Sequence, residues 1–444
     1  MIVLFLFLFH SLLLPFASPI QIKIERKQIY IKSAQKAKEH KQNSYNISFP
    51  YPYPTINICV GSPQEQCVDV LIDTLYVVDW IGDINSNTLH KFNGNQSKTF
   101  YVESTHPSAY SFYQNNLIGN QARDILYINK KPVSKEPNYA FYDIFSRFNE
   151  DLNIDGIIGL SRQKKFKGKK DSNFYTFLEH IFQQKKINKR IFSISYEDMF
   201  DKEGTLYIGE LPDYFDINRA MQLNVLNDNT INSWVSQYWG AYLSHIRFNT
   251  TEGQKIYDIR VAGVIKTGKA FISFPSKYEE IIKKIYSQAK SLSKGCEIRE
   301  INSETYLSCE IFDVSKLSPI FFTFENGNNL ILAPQNQFVL SEGNSSRIES
   351  VIRKSDTGEQ IIIGNALLQN YNIAFDLDQE KMYFLNRNEV ITKHNLMRNN
   401  KKTIISIIIF VSFISASWIL FIMYKLKMIA SKGVSNVSNR NLIN

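Results

Sequence analysis

Between residues 51 and 390, apolar side chains come in short runs broken by Gly, Pro, Asn and Asp. The runs 68–72, 154–160, 192–196, 205–209, 263–265, 321–324, 361–364 and 371–375 alternate or are continuously β-branched, which predicts strands. A helical period is clear only over 174–183 and 275–289, which predict two covering helices. This stretch therefore reads as mainly β, and it repeats itself. Val70-Leu71-Ile72 ends in Asp73-Thr74 and is followed downstream by Ile157-Ile158-Gly159. Gly263-Val264-Ile265 ends in Lys266-Thr267 and is followed by Ile362-Ile363-Gly364. Aromatic-rich strands at 51–58 and 238–246 open the two halves. The repeat predicts two similar β-lobes with a cleft between them, at 51–226 and 227–390, joined in the polar stretch 227–233.

The ends follow a different pattern. Residues 1–18 are apolar, short and finish in small residues, which predicts a secretory signal peptide cut near Ala17, the alternative being an uncleaved anchor. The 22 residues from 403 to 424 carry no charge, enough to span a bilayer core of about 30 Å at 1.5 Å per residue. They predict a C-terminal transmembrane helix after a juxtamembrane stalk at 391–402 and before a cytosolic tail at 425–444. With the signal peptide setting the orientation, the topology is single-pass type I, with the ectodomain lumenal or extracellular. The compartment is the cell surface or an endolysosomal or vacuolar membrane.

Composition adds two constraints. Of the 444 residues, 44% are hydrophobic, which excludes global disorder. The net charge of +9 suggests nucleic acid or anionic lipid. Its distribution removes that suggestion. Residues 19–50 hold seven Lys/Arg against two acids, a balance of +5, and residues 391–444 hold eight against none. The remainder, 51–390, is left at −4, so no nucleic-acid partner is expected. The basic stretch 19–50 is a prosegment or an N-terminal extension, and 162–170 is a second basic run, read as an exposed loop. The four cysteines form two close pairs, Cys59/Cys67 and Cys296/Cys309. Zinc would need shorter spacing and histidine partners, so two local disulfides are expected, the alternative being buried thiols. Sequons at Asn46, Asn95, Asn249 and Asn344 would be lumenal glycosylation sites. The seven histidines show no metal-ligand spacing, and neither a Gly-x-Ser-x-Gly elbow nor a phosphate-cradling glycine loop is present.

One further set of motifs gives this frame a chemistry. Ile58-Cys-Val-Gly-Ser-Pro-Gln, then Val70-Leu-Ile-Asp-Thr, then Trp80 seven residues after Asp73, resembles the opening of the pepsin-like aspartic peptidases. Tyr113 with Gly119 and Asp124 resembles the flap hairpin of that family, and Asp155-Gly-Ile-Ile-Gly-Leu resembles the segment behind the first aspartate. Phe192-Ser-Ile-Ser with Gly204-Thr-Leu-Tyr-Ile-Gly-Glu is similar to the strand pair that follows. Gly263-Val-Ile-Lys-Thr-Gly-Lys and Ile272-Ser-Phe-Pro-Ser stand where the second Asp-Thr-Gly belongs. Ile361-Ile-Ile-Gly-Asn through Phe375-Asp376 resembles the closing segment. The resemblance covers about 51–388. It implies a bilobal acid-protease fold holding an extended polypeptide under the flap, a monomer, no metal or organic cofactor, and two carboxylates sharing a proton around a water.

The sequence departs from that family where the chemistry sits. The first loop reads Asp73-Thr74-Leu75-Tyr76, and the second reads Lys266-Thr267-Gly268-Lys269, so a lysine holds the second aspartate's place. Thr74 and Thr267, which brace the loops in the family, are kept. An ammonium beside Asp73 is expected to lower its pKa and remove the shared proton, while Asp73 is expected to push the Lys266 pKa up. No Asp or Glu lies near Lys266 in sequence, the nearest upstream being Asp258. Asp73 and Lys266 are therefore expected to form an ion pair across the cleft. The functional expectation is a membrane-anchored aspartic-endopeptidase relative with lost or impaired hydrolysis, or a pseudopeptidase that binds peptides or a partner.

Overall fold

Ile20-Gln-Ile-Lys-Ile, an alternation at the start of the basic stretch, forms the strand Ile20–Lys27, with Ile22 and Ile24 turned into the core and Gln21 and Lys23 outward. It is an inner strand, paired antiparallel with Glu203–Ile208 on one side and with Tyr53–Val60 on the other. The computed structural model describes residues 20–387 except 28–29, 33–45, 49–52, 105–106, 113–114, 147–153, 163–174, 196–202, 227–236, 251, 302–303, 342–345 and 357. The predicted signal peptide, stalk, transmembrane helix and tail, together with Tyr113 and Asn344, lie outside the described residues. Among those described, no helix is long and apolar enough to cross a membrane.

Two large sheets carry the fold. Sixteen described strands form the first, which runs from Ile20 to Asn224 and takes in Tyr371–Asp376 and Lys381–Asn386 from the far end of the chain. Ten described strands between Gly240 and Ile363 form the second. The mainly β, bilobal expectation holds, and the polar join at 227–233 falls outside the described residues. The opening strands of the two halves are Tyr53–Val60 and Gly240–Thr250. Both covering helices form, as Phe177–Gln183 and Glu279–Leu292. The second buries Ile281, Ile282, Ile285, Tyr286 and Ala289 along one face, the spacing of an amphipathic helix lying on a sheet.

In each lobe the crossing at the repeated motif is the same. Gln66–Asp73 pairs in parallel with Gly156–Gly159, with Gly159 opposite Asp73. Gly253–Ile265 pairs in parallel with Ile361–Ile363, with Ile265 opposite Ile363. Parallel strands buried on both faces need continuous apolar runs, which is why these segments read as Val-Leu-Ile and Ile-Ile-Ile without alternation. Each run ends where its interior strand ends, which places Asp73 and Lys266 at matching positions. Arg162 is not part of an exposed loop: it is buried, donates from Nη1 to the Leu226 carbonyl (2.7 Å) and pairs with Glu380.

Candidate functional site

Two loops meet where the sheets face each other, and their threonines lock them together. The Thr74 hydroxyl donates to the Ile265 carbonyl at 2.8 Å and accepts from the Thr267 N–H at 3.2 Å. The Thr267 hydroxyl donates to the Ile72 carbonyl at 2.8 Å and accepts from the Thr74 N–H at 3.2 Å. All four bonds are buried and cross between the lobes, so the two loops cannot shift independently. Trp239 adds a tie, its indole N–H donating to the Leu160 carbonyl at 2.7 Å.

The Asp73 side chain is fully buried within this frame. Its Oδ1 accepts the Leu75 N–H at 2.8 Å, whereas Oδ2 receives no hydrogen bond among the described residues. Oδ2 lies against Gly268, where an added Cβ would stand 2.0 Å away, so only glycine fits that position. Lys266 Nζ is 3.8 Å from Oδ2 and lies 5.1 Å from the centroid of the Tyr76 ring, with the lysine side chain 14% exposed. The expected cross-cleft pair is present at this distance, but its electrostatics differ from expectation. Burial raises the Asp73 pKa above the usual carboxylate value, an effect that Lys266 and the N–H groups of Leu75 and Tyr76 offset only in part. Burial likewise lowers Lys266, helped by the nearby Lys269 and opposed by Asp73 and Glu304. Both shifts follow from the cost of taking the two charges out of water, which neighbouring charges in sequence do not reveal.

Glu304 is the residue that sequence reasoning missed. It opens the strand Glu304–Glu310 and accepts from Lys269 Nζ and from the Ser273 hydroxyl (2.8 Å), with Arg353 Nη1 3.6 Å away. Arg353 lies 3.4 Å from the centroid of the Phe271 ring and 4.5 Å from that of Tyr306. The Lys269 and Arg353 charges hold the Glu304 carboxyl below its usual range despite burial. Tyr76 and Tyr238 also face Asp73, and burial pushes both phenols up. No local motif signals Glu304 or Tyr238; tertiary folding alone brings them here.

The other predicted residues fall around this centre. Ser108–Phe112 and Asn115–Asp124 pair as a hairpin on either side of positions 113–114. Cys59–Cys67 and Cys296–Cys309 are disulfides, the first joining residues directly opposite on paired strands. Asn95 and Asn249 are exposed, and the Asn46 backbone lies in the short strand Asn46–Ser48. Histidine spacing gave no sign of metal ligands, yet folding brings ligand atoms of Asp69, His90 and Asp155 within 4.8 Å of one another. Asp155 is already engaged there, accepting the N–H groups of Asp69 (2.8 Å) and His90 (2.7 Å) with His90 Nδ1 at 2.8 Å. A cation would have to displace these bonds, so the arrangement is a clamp on the loop.

A search of curated proteins gives no match to this chain. The family described as eukaryotic aspartyl protease matches residues 53–386, nearly all of both sheets. With paired parallel crossings, interlocked threonines and an aspartate at the end of the first run, the chain belongs to the eukaryotic aspartyl protease family, the pepsin-like peptidases.

Proposed function

We propose that this protein binds polypeptides in the cleft of a pepsin-like fold without hydrolysing them efficiently. One observation carries the proposal: Lys266 Nζ stands 3.8 Å from Asp73 Oδ2, at the position matching Asp73 in the other lobe. The family reaction needs one ionised carboxylate to take a proton from water and one protonated carboxyl to polarise the scissile carbonyl. Asp73, with its raised pKa, suits the second role, and Lys266 would have to supply the first. With Asp73 in that role, no second carboxylate remains beside it to take the proton of water, so the dyad chemistry of the family is missing. Thr74 and Thr267 then serve as loop support and Tyr113 as a flap residue closing over the bound chain. The same proposal places the protein, as a monomer, in the secretory route on a single C-terminal span, with the cleft lumenal or extracellular. The apolar run 403–424, the two disulfides and the exposed sequons Asn95 and Asn249 support this placement.

The full-length chain is incubated with a peptide library at roughly pH 3–7, a span covering carboxylate and histidine titration. The expected outcome is retained peptide with no more cleavage than an Asp73→Ala control gives. Cleavage that pepstatin blocks and Asp73→Ala abolishes would overturn the proposal.

A further inference from the structure

We propose that the Lys266 amine captures small aldehydes and ketones as an imine, with Asp73 as its acid–base partner. This goes beyond peptide binding and does not depend on it. Three features on the cleft floor point to covalent capture. The lysine is confined but not sealed, with 14% of its side chain exposed. The carboxyl oxygen facing it, Asp73 Oδ2, is fully buried and accepts no hydrogen bond among the described residues, so its proton capacity is uncommitted. Lys269, a second cation, follows three residues later in the same loop and is held there by Glu304; burial and this cation lower the Lys266 pKa, against Asp73 and Glu304, which raise it.

The chemistry balances within the pair. With its proton on Asp73, the Lys266 amine attacks the carbonyl carbon and forms a C–N bond. One nitrogen proton passes to the carbonyl oxygen, giving a carbinolamine. The C–O bond then breaks, the Asp73 proton leaves with the hydroxyl as water, and an iminium remains opposite the Asp73 carboxylate. One carbonyl compound is consumed and one water released, with no oxidant or reductant. The ionisable groups facing the amine are Asp73, Tyr76, Lys269 and Glu304, with Tyr238 facing Asp73.

The full chain is treated with benzaldehyde and sodium cyanoborohydride, which traps the imine as a benzyl amine, at roughly pH 5–8, and the adducts are mapped by mass spectrometry. Lys266 is expected to label at least about tenfold faster than the exposed Lys131 and Lys284, a modest share of what a positioned acid–base group contributes. Asp73→Asn is expected to bring Lys266 down to the exposed-lysine rate while leaving Lys131 unchanged. Lys269→Met is expected to move half-maximal labelling to higher pH, because a cation that disfavours the charged amine is gone. Labelling of Lys266 no faster than Lys131 in the unsubstituted chain overturns the proposal, whatever the variants do. Peptide cleavage, by contrast, bears only on the hydrolytic question.

Discussion

Removing one member of a buried ion pair strands the other, so Lys266→Leu is expected to cost about 3 kcal/mol at pH 7. The cost should shrink towards pH 4, where the stranded Asp73 is protonated, and urea unfolding at the two pH values checks this. Asp79 poses a related problem with no cation beside it among the described residues. Fully buried, it accepts the Gly159 N–H at 2.7 Å and the Tyr139 hydroxyl at 3.0 Å, and burial pushes its pKa up to about 8. Burial also raises Asp143 to about 7, and lowers His180, packed against the Tyr139 ring, to about 4. A carboxyl whose folded pKa is raised binds a proton that the unfolded chain has released, so its contribution falls from the unfolded value up to the folded one. His180 works in the opposite sense between about 4 and 6.5 and offsets one carboxyl there. Above pH 6.5 that offset ends, and Tm is expected to fall from pH 6.5 to 8. Asp79→Asn, which mimics the protonated acid, should flatten the decline; an unchanged slope would remove Asp79 as its source. Asp73, Lys266, Thr74 and Thr267 were legible because each ends an apolar run in a repeated frame. The direction of the Asp73 shift was not, since burial depth is absent from a list of neighbours.

Among elements, Ile20–Lys27 shows how a tail-like composition can hide a structural role. Lys23 and Glu25 are exposed, while Ile24, fully buried, sits between two neighbouring strands. Ile24→Ala is expected to cost about 3 kcal/mol, the usual penalty of a buried aliphatic truncation, measured by denaturant midpoint. A loss below about 1 kcal/mol would mean the strand is dispensable. The alternation is visible in sequence, but the charge beside it reads as a prosegment or an N-terminal extension. The disulfides were legible from spacing because each closes a short loop, and by loop closure the Cys59–Cys67 bond contributes about 2.5 kcal/mol. Arg162 was misplaced for a converse reason: five lysines follow it in 163–170, whereas its own guanidinium reaches back to Leu226 and Glu380.

For the whole molecule, the four threonine bonds decide whether the lobes behave as one body. Thr267→Val removes the hydroxyl that donates to Ile72 and accepts from Thr74, leaving two buried backbone groups short of partners. A loss of about 2–4 kcal/mol is expected, with calorimetry showing a broadened or split transition as the lobes uncouple. A single sharp transition at unchanged temperature would place the coupling elsewhere, for example at Trp239. The first sheet imposes a further demand on the order of events. Tyr371–Asp376 lies directly against Ile191–Ser195, and Lys381–Asn386 against Met221–Asn224, so the N-terminal lobe is completed by the last strands of the folded unit. The second sheet, from Gly240 to Ile363, needs no such distant strand. During synthesis, therefore, the lobe made first must wait with an open edge while the lobe made second can close, and a chain truncated before residue 371 would carry a finished second lobe on an unfinished first.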